Sequence, residues 1–212
     1  MSAQAKICGI STEAAMDAAI AGGAAFVGLV FALSPRRVSP ARASQLAARV
    51  PGGIQKIGLF VEPEDAEIEA ALEEVALDMV QLHGHESAAR TAEIKANFGL
   101  PVMKAIGVKG PEDLARAHDY DEIADYLLFD GLGDPDNPIP GGNAAAFDWT
   151  LLAGRRWPVP WMLAGGLTPE NVARAIEASG AELVDVSSGV EAVRGQKDPA
   201  LITAFLETVA RA

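Results

Sequence analysis

Short apolar runs alternate along the chain with Ala-rich amphipathic segments. The runs are "AKICGI", "AAFVGLVF", "IQKIGLFV", "LDMVQLH", "PVMKAIGV", "ADYLLFD", "VPWMLAG" and "LVDVSS", and each predicts a strand followed by helix-like sequence. Several of the helices carry start signals. "STEAAMDAAIAGG" opens on a Ser or Thr cap and closes on Gly22 and Gly23. In "SPARASQLAARV", Ser39 precedes Pro40 at the first helical position. "EPEDAEIEAALEEV" packs acidic residues into its first turn, where the positive helix end favours them. "TPENVARAIEASG" predicts a helix that starts at Thr168-Pro169 and stops at Gly180.

Eight such units share 212 residues, about 26 each. Strict alternation of strand and helix implies a parallel sheet. Eight repeats of this size predict an α/β fold, a single (β/α)8 TIM barrel with residues 1–212 as one domain. A doubly wound open sheet is the structural competitor, but no G-x-G-x-x-G follows the first strand. One connection departs from the rhythm. "GLGDPDNPIPGGNAAA", after the sixth strand, is rich in Gly and Pro, and reads as a lid or binding loop or as a tolerated surface insertion.

Composition narrows the partners. Seventeen Lys and Arg stand against 29 Asp and Glu, a net charge of −12. That argues against a general nucleic-acid binder and against attraction to anionic membranes. An anionic substrate would have to be held by local arginines and backbone N–H groups. One cysteine can form neither an internal disulfide nor a zinc cluster. "MSAQAKICG" lacks the pattern of a signal peptide, and "AAFVGLVFAL" is too short to cross a bilayer, so the cytoplasm is the default.

In a parallel barrel all strand C-termini emerge on one face, where active sites of this architecture lie. The polar residues at those ends are Cys8, Arg36 and Arg37, Gln81 and His83, Asp130, and the group Asp185, Ser187, Ser188 and Gly189. Gly165 and Gly166 end the seventh strand. Each has a plain reading beside the functional one. Cys8 is core filling or a reactive thiol, and Gly9 directly after it suits a strand turning outward. Asp130 caps a turn, or holds a proton at an apolar mouth where desolvation raises an acid's pKa. Arg36 snorkels over a helix, or grips a planar carboxylate with its fork. His83 and His85 flank Gly84 on a turn, and no further ligand completes a metal set, so a solvated loop or a substrate contact fits better. His118 reads as structural. The segments "AGGLTPENV" and "VSSGVE" place glycines, hydroxyls and helix starts after strands seven and eight, where barrels often bind phosphate. Neither contains Lys or Arg, and Arg194 and Lys197 come later, so oriented amides would do the binding. The ligand class this points to is a phosphorylated small molecule.

Taken in order, "KICGI", "GLVFALSPRRVSP", "KIGLFV", "VQLHGHE", "LLFD", "GGNAAAFDW", "LAGGLTPENVARAI", "VDVSSGVE" and "GQKD" resemble phosphoribosylanthranilate isomerases, from Lys6 to Asp198. The resemblance implies a cofactor-free barrel enzyme of tryptophan biosynthesis. Its reaction is the Amadori rearrangement of N-(5-phosphoribosyl)anthranilate to 1-(2-carboxyphenylamino)-1-deoxyribulose 5-phosphate. It further implies Cys8 as general base, Asp130 as general acid and Arg36 as the holder of the anthranilate carboxylate. Gly165, Gly166, Ser188 and Gly189 would form the phosphate site. Gln81, His83 and Asp185 stand as further substrate-binding candidates by their strand-end positions, with Asp185 the alternative base. The family's usual "GGTGxxFDW" reads Gly141-Gly142-Asn143-Ala144-Ala145-Ala146-Phe147-Asp148-Trp149 here, and Ala144 restricts a backbone that glycine would leave free. A thiolate base needs nearby positive charge, for which the substrate iminium and an Arg at the mouth are the sequence's candidates. Two rivals share the barrel: a sugar-phosphate epimerase, which would want metal ligands this chain does not supply, and a phosphate-ligand binding protein without turnover.

Overall fold

Most positions on both faces of the expected strands are apolar, and the fold shows why. Eight parallel strands pair in chain order and close into a barrel. They are β1 (Gln4–Cys8), β2 (Phe26–Val30), β3 (Gln55–Phe60), β4 (Met79–Leu82), β5 (Val102–Val108), β6 (Tyr126–Gly131), β7 (Trp161–Leu163) and β8 (Leu183–Val186). The open-sheet alternative fails because β1 pairs with both β2 and β8. The computed structural model describes residues 3–132 and 146–212. Most of the Gly- and Pro-rich connection after β6, with the Asn143-Ala144 departure, lies outside the described residues.

Inside the barrel, Phe26, Ile57, Met79, Met103, Leu128 and Met162 pack as one cluster. The alternate residues, such as Ile7, Val27, Val80, Leu127 and Val184, point out and pack under the helices. A strand buried on both sides reads as a continuous apolar run, which is what made the eight visible.

The outer layer holds α1 (Glu13–Ala21), α2 (Pro40–Ala47), α3 (Asp65–Glu74), α4 (Ala88–Phe98), α5 (Val172–Ser179) and α6 (Pro199–Arg211). Thr12 and Ser39 cap the first two, accepting from the backbone N–H of Ala15 and Arg42. Among the described residues, no helix is long and apolar enough to cross a membrane.

Four connections differ from the expected strand–helix alternation. Between β6 and β7 the described residues form a short 3₁₀ helix, Trp149–Leu152. After β5 the chain forms a 3₁₀ helix, Asp113–Tyr120. Its buried residues Leu114 and Ala117 are three apart, so a three-residue turn stacks them on one line. After β7 the helix begins at Val172, not at Thr168. The Asn171 side chain donates to Gly166 O and accepts from Thr168 N, both at 2.8 Å, and closes a turn before the helix can start. After β8 a 3₁₀ turn, Ser188–Val190, leads into a hairpin of β9 (Glu191–Val193) and β10 (Gln196–Lys197). The hairpin sits against the loop after β2: a Cβ on Gly195 would lie 2.9 Å from Pro35 O.

Candidate active site

The thiol at the mouth is placed by two glycines. Lys6 and Cys8 share the inward face of β1, since side chains two apart on a strand point the same way. Cys8 is buried against Val30 and Leu59. A Cβ on its neighbour Gly28 would come within 2.9 Å of the Cys8 sulfur, so glycine there makes space for the thiol. Gly9, at φ 78°, then turns the chain outward and donates its N–H to Gly28 O at 2.9 Å. A Cβ on Gly9 would lie 2.7 Å from Cδ of Arg36. Gly9 is therefore both the exit from the strand and the bed for the arginine stem.

Below Cys8, Lys6 is 0% exposed. A buried ammonium needs a partner, and the register supplies one: Lys6 lies opposite Asp185 on β8, and its Nζ donates to Asp185 Oδ1 at 3.1 Å. Lys6 Nζ also donates to Gln81 Oε1 at 2.8 Å. Gln81 Nε2 is 2.8 Å from His83 Nδ1, and His83 Nε2 is 3.0 Å from Asp130 Oδ2. Four polar contacts thus join β8, β1, β4 and β6 across the barrel. Burial disfavours charge on Lys6, but Asp185 and Cys8 beside it outweigh this and hold its pKa above the ordinary lysine value. Burial pushes the Cys8 thiol up, against the opposing pull of Lys6 and Lys197.

The turn that presents His83 is itself anchored. Lys104 points out from β5 into a buried pocket, donating to Glu86 Oε2 at 2.9 Å and to Gly84 O at 2.7 Å. Glu86 in turn accepts from the backbone N–H groups of Glu62 and Gly84. One buried ion pair therefore ties the loops after β3 and β4 together next to His83.

Arg36 is buried at the mouth while Arg37 is exposed. The Arg36 fork is partly engaged: Nε and Nη2 donate to the two oxygens of Glu191 at 2.6 and 2.9 Å. A guanidinium has five N–H donors, so the edge facing away from Glu191 keeps donors for a second carboxylate. Glu191 also accepts from Lys197 Nζ at 2.7 Å and from Gly195 N at 2.9 Å. Burial opposes ionisation of Glu191, but the bonds from Arg36 and Lys197 win and bring its pKa down to about 2.

The loops after β7 and β8 meet directly, since a Cβ on Gly189 would collide with Leu167 O. Gly166 and Ser188 are brought to the same side of the mouth by that contact. Neither loop carries a cation of its own, but Lys197, already paired with Glu191, reaches the base of the second one. Lys197 folds back over β8 and donates to Ser187 O at 3.0 Å and to Ser187 Oγ at 3.1 Å. Ser187 Oγ donates to Cys8 O at 3.2 Å. Gly165, at φ 88°, abuts Asp130: a Cβ there would collide with Gly131 N and lie 3.0 Å from Asp130 Oδ1.

The sequence-derived candidates thus separate by depth. Cys8, Arg36, His83, Asp130, Gly165, Gly166, Ser188 and Gly189 surround the mouth. Gln81 and Asp185 lie in their strands below it, with polar atoms on Lys6. His85 is exposed, and His118 pairs with Asp121 away from the barrel interior. Among the described residues, no three of His, Cys, Asp and Glu come together as a metal set. The reading from sequence missed Lys6, Glu86, Lys104, Glu191 and Lys197. For Lys6 a signal existed: it shares a strand face with Cys8, and a lysine inside an apolar strand demands a carboxylate. The cations acting on the thiol are Lys6 and Lys197, which add to the iminium and mouth arginine that the sequence offers for that role.

Comparison with known proteins identifies the family of the whole chain. The sequence profile of the N-(5′-phosphoribosyl)anthranilate (PRA) isomerase family matches residues 5–208. The N-(5′-phosphoribosyl)anthranilate isomerase of Paracoccus denitrificans is 54% identical over 207 residues, 97% of this chain and 96% of that protein. The crystal structure of phosphoribosyl anthranilate isomerase from Thermotoga maritima superposes with a TM-score of 0.87 at 35% identity, covering 99% of this chain and 100% of that one. A phosphoribosyl anthranilate isomerase in complex with reduced 1-(o-carboxyphenylamino)-1-deoxyribulose 5-phosphate gives 0.85 at 34% identity, with coverage of 99% and 100%. On the profile match and these identities, the chain belongs to the N-(5′-phosphoribosyl)anthranilate isomerase family.

Proposed function

We propose that Cys8 is the general base and Asp130 the general acid of the family's isomerisation in this chain. The reaction converts N-(5′-phosphoribosyl)anthranilate to 1-(2-carboxyphenylamino)-1-deoxyribulose 5-phosphate. Asp130 gives a proton to the ring oxygen as the C1–O bond breaks, and that bond's electron pair stays on oxygen. The anilino nitrogen lone pair then forms the C1=N bond of an iminium. Cys8, as thiolate, removes the hydrogen from C2. Those electrons form C1=C2, and the C=N pair returns to nitrogen, giving an enolamine. Loss of the proton on the C2 hydroxyl and gain of one at C1 yield the ketone. Acid and base steps of this kind contribute about 10²–10⁴-fold each.

The observation that carries this reading is the arrangement around Lys6. A fully buried ammonium stands beside the Cys8 thiol, and the contacts that begin on it end at the Asp130 carboxyl. The free edge of Arg36 receives the anthranilate carboxylate. The phosphate takes the apposed loops with Gly165, Gly166, Ser188 and Gly189, with Lys197 adding charge nearby. The same reading takes residues 1–212 as one domain acting in the cytoplasm on a phosphorylated small molecule. Asp130→Asn tests the acid: turnover, followed by the loss of anthranilate-type fluorescence, should fall while substrate affinity persists. Retention of both limbs of a bell-shaped pH profile in that variant removes Asp130 from the role.

A further inference from the structure

We infer that Lys6, Gln81 and His83 form a one-way hydrogen-bond chain that leaves Oδ1 as the oxygen of Asp130 that delivers the proton, so that Gln81 and His83 are positioning residues. The inference rests on the reading of Asp130 as the acid. Its direction follows from what each group can do. An ammonium has only donors, so the Gln81 atom facing Lys6 at 2.8 Å is the carbonyl oxygen. The amide NH₂ of Gln81 then faces His83 Nδ1, also at 2.8 Å, and Nδ1 must accept. An imidazole whose Nδ1 accepts carries its proton on Nε2. Nε2 therefore donates to Asp130 Oδ2 at 3.0 Å.

Asp130 Oδ2 is thereby an acceptor whether the carboxyl is neutral or ionised. When Asp130 holds a proton, that proton sits on Oδ1. This oxygen lies on the Gly165 side of the carboxyl, 3.0 Å from where a Cβ on that glycine would sit. The far end of the chain cannot slip. Lys6 is pinned by Asp185 at 3.1 Å and is 0% exposed, as is Gln81. The backbone beside His83 is fixed by the Glu86–Lys104 pair. Three buried or half-buried residues thus set the tautomer of one imidazole, and the imidazole selects one carboxyl oxygen.

The test is the ¹⁵N NMR signature of the three histidines in ¹⁵N-histidine-labelled protein, with His83 assigned by its loss in His83→Gln. Wild-type protein near neutral pH should show His83 neutral, with its proton on Nε2. Gln81→Glu puts an acceptor opposite Nδ1, so His83 should take a second proton and appear as an imidazolium. The same variant should lose at least about tenfold in kcat, with KM changed by less than about threefold, because acid delivery and not binding is disturbed. A wild-type His83 protonated on Nδ1 or on both nitrogens overturns the inference, as does a Gln81→Glu protein with an unchanged His83 signature. The two readings separate cleanly. An active Asp130→Asn enzyme sinks the acid assignment whatever the tautomer, whereas an inactive one with the wrong His83 tautomer sinks the chain alone.

Discussion

Replacing Lys6 with methionine keeps most of the stem and removes the charge at the centre of the barrel. Two partners are stranded: Asp185, 7% exposed, and the Gln81 carbonyl, 0% exposed. Breaking a buried ion pair from one side costs about 3–5 kcal/mol, because the remaining charge has no compensation. An orphaned buried amide oxygen costs about 1–3 kcal/mol. The two share one site and do not add fully, so about 4 kcal/mol is expected overall. For a chain of this size each kcal/mol moves Tm by about 2–4 °C, which puts the variant roughly 8–16 °C below wild type. The double variant Lys6→Met/Asp185→Asn removes the stranded charge and should recover more than about half of the deficit. It should not recover turnover, because the cation beside Cys8 is still missing. Urea unfolding measures the stability and anthranilate fluorescence the turnover. A single variant within about 1 kcal/mol of wild type, or a double variant no more stable than the single, would refute the buried pair as the source of the energy.

Arg36→Ala should raise KM and lower kcat/KM by about 2–4 kcal/mol, whereas Arg37→Ala should do little; steady-state kinetics with equal effects would place the carboxylate elsewhere. Its fold should survive, since Glu191 keeps Lys197 and Gly195 N as partners. The Glu191 carboxyl is depressed from 4.5 to about 2. A depressed carboxylate contributes stability that is complete above 4.5 and is lost as pH falls toward 2. Glu191→Gln should therefore flatten the acid side of the urea-midpoint profile over that window. Burial holds the Cys8 thiol above its ordinary value of 9.0, so kcat/KM should climb with pH through the neutral range; a profile flat there would mean that the reacting base is not a buried thiol.

The barrel was legible because its strands are buried on both faces and its helices carry local punctuation. Thr12, Ser39 and Gly180 did in the structure what their residue types suggest. Misplaced boundaries arose where a side chain reached across a turn, as Asn171 does to Gly166 and Thr168. The mouth was legible as a set of strand ends, which periodicity alone can supply. Its wiring was not. Lys6 meets Gln81 75 residues away and Asp185 179 away, and Arg36 meets Glu191 across 155. Spacing carries no information about such partners; only closure of the ring brings them together. Lys197 shows the same limit, since a residue beyond the strand-end motif returns to it only because Gly195 turns the hairpin.

The account turns on the thiol of β1 acting as the base. Its most direct test is the turnover of folded Cys8→Ser protein, followed by loss of anthranilate-type fluorescence at saturating substrate. A hydroxyl is a far weaker base than a thiolate, so kcat should drop by at least about 10²-fold while the unfolding curve stays close to wild type. A kcat near that of wild type would contradict the account, make Cys8 a core residue and move the base to another group, with Asp185 the first to test.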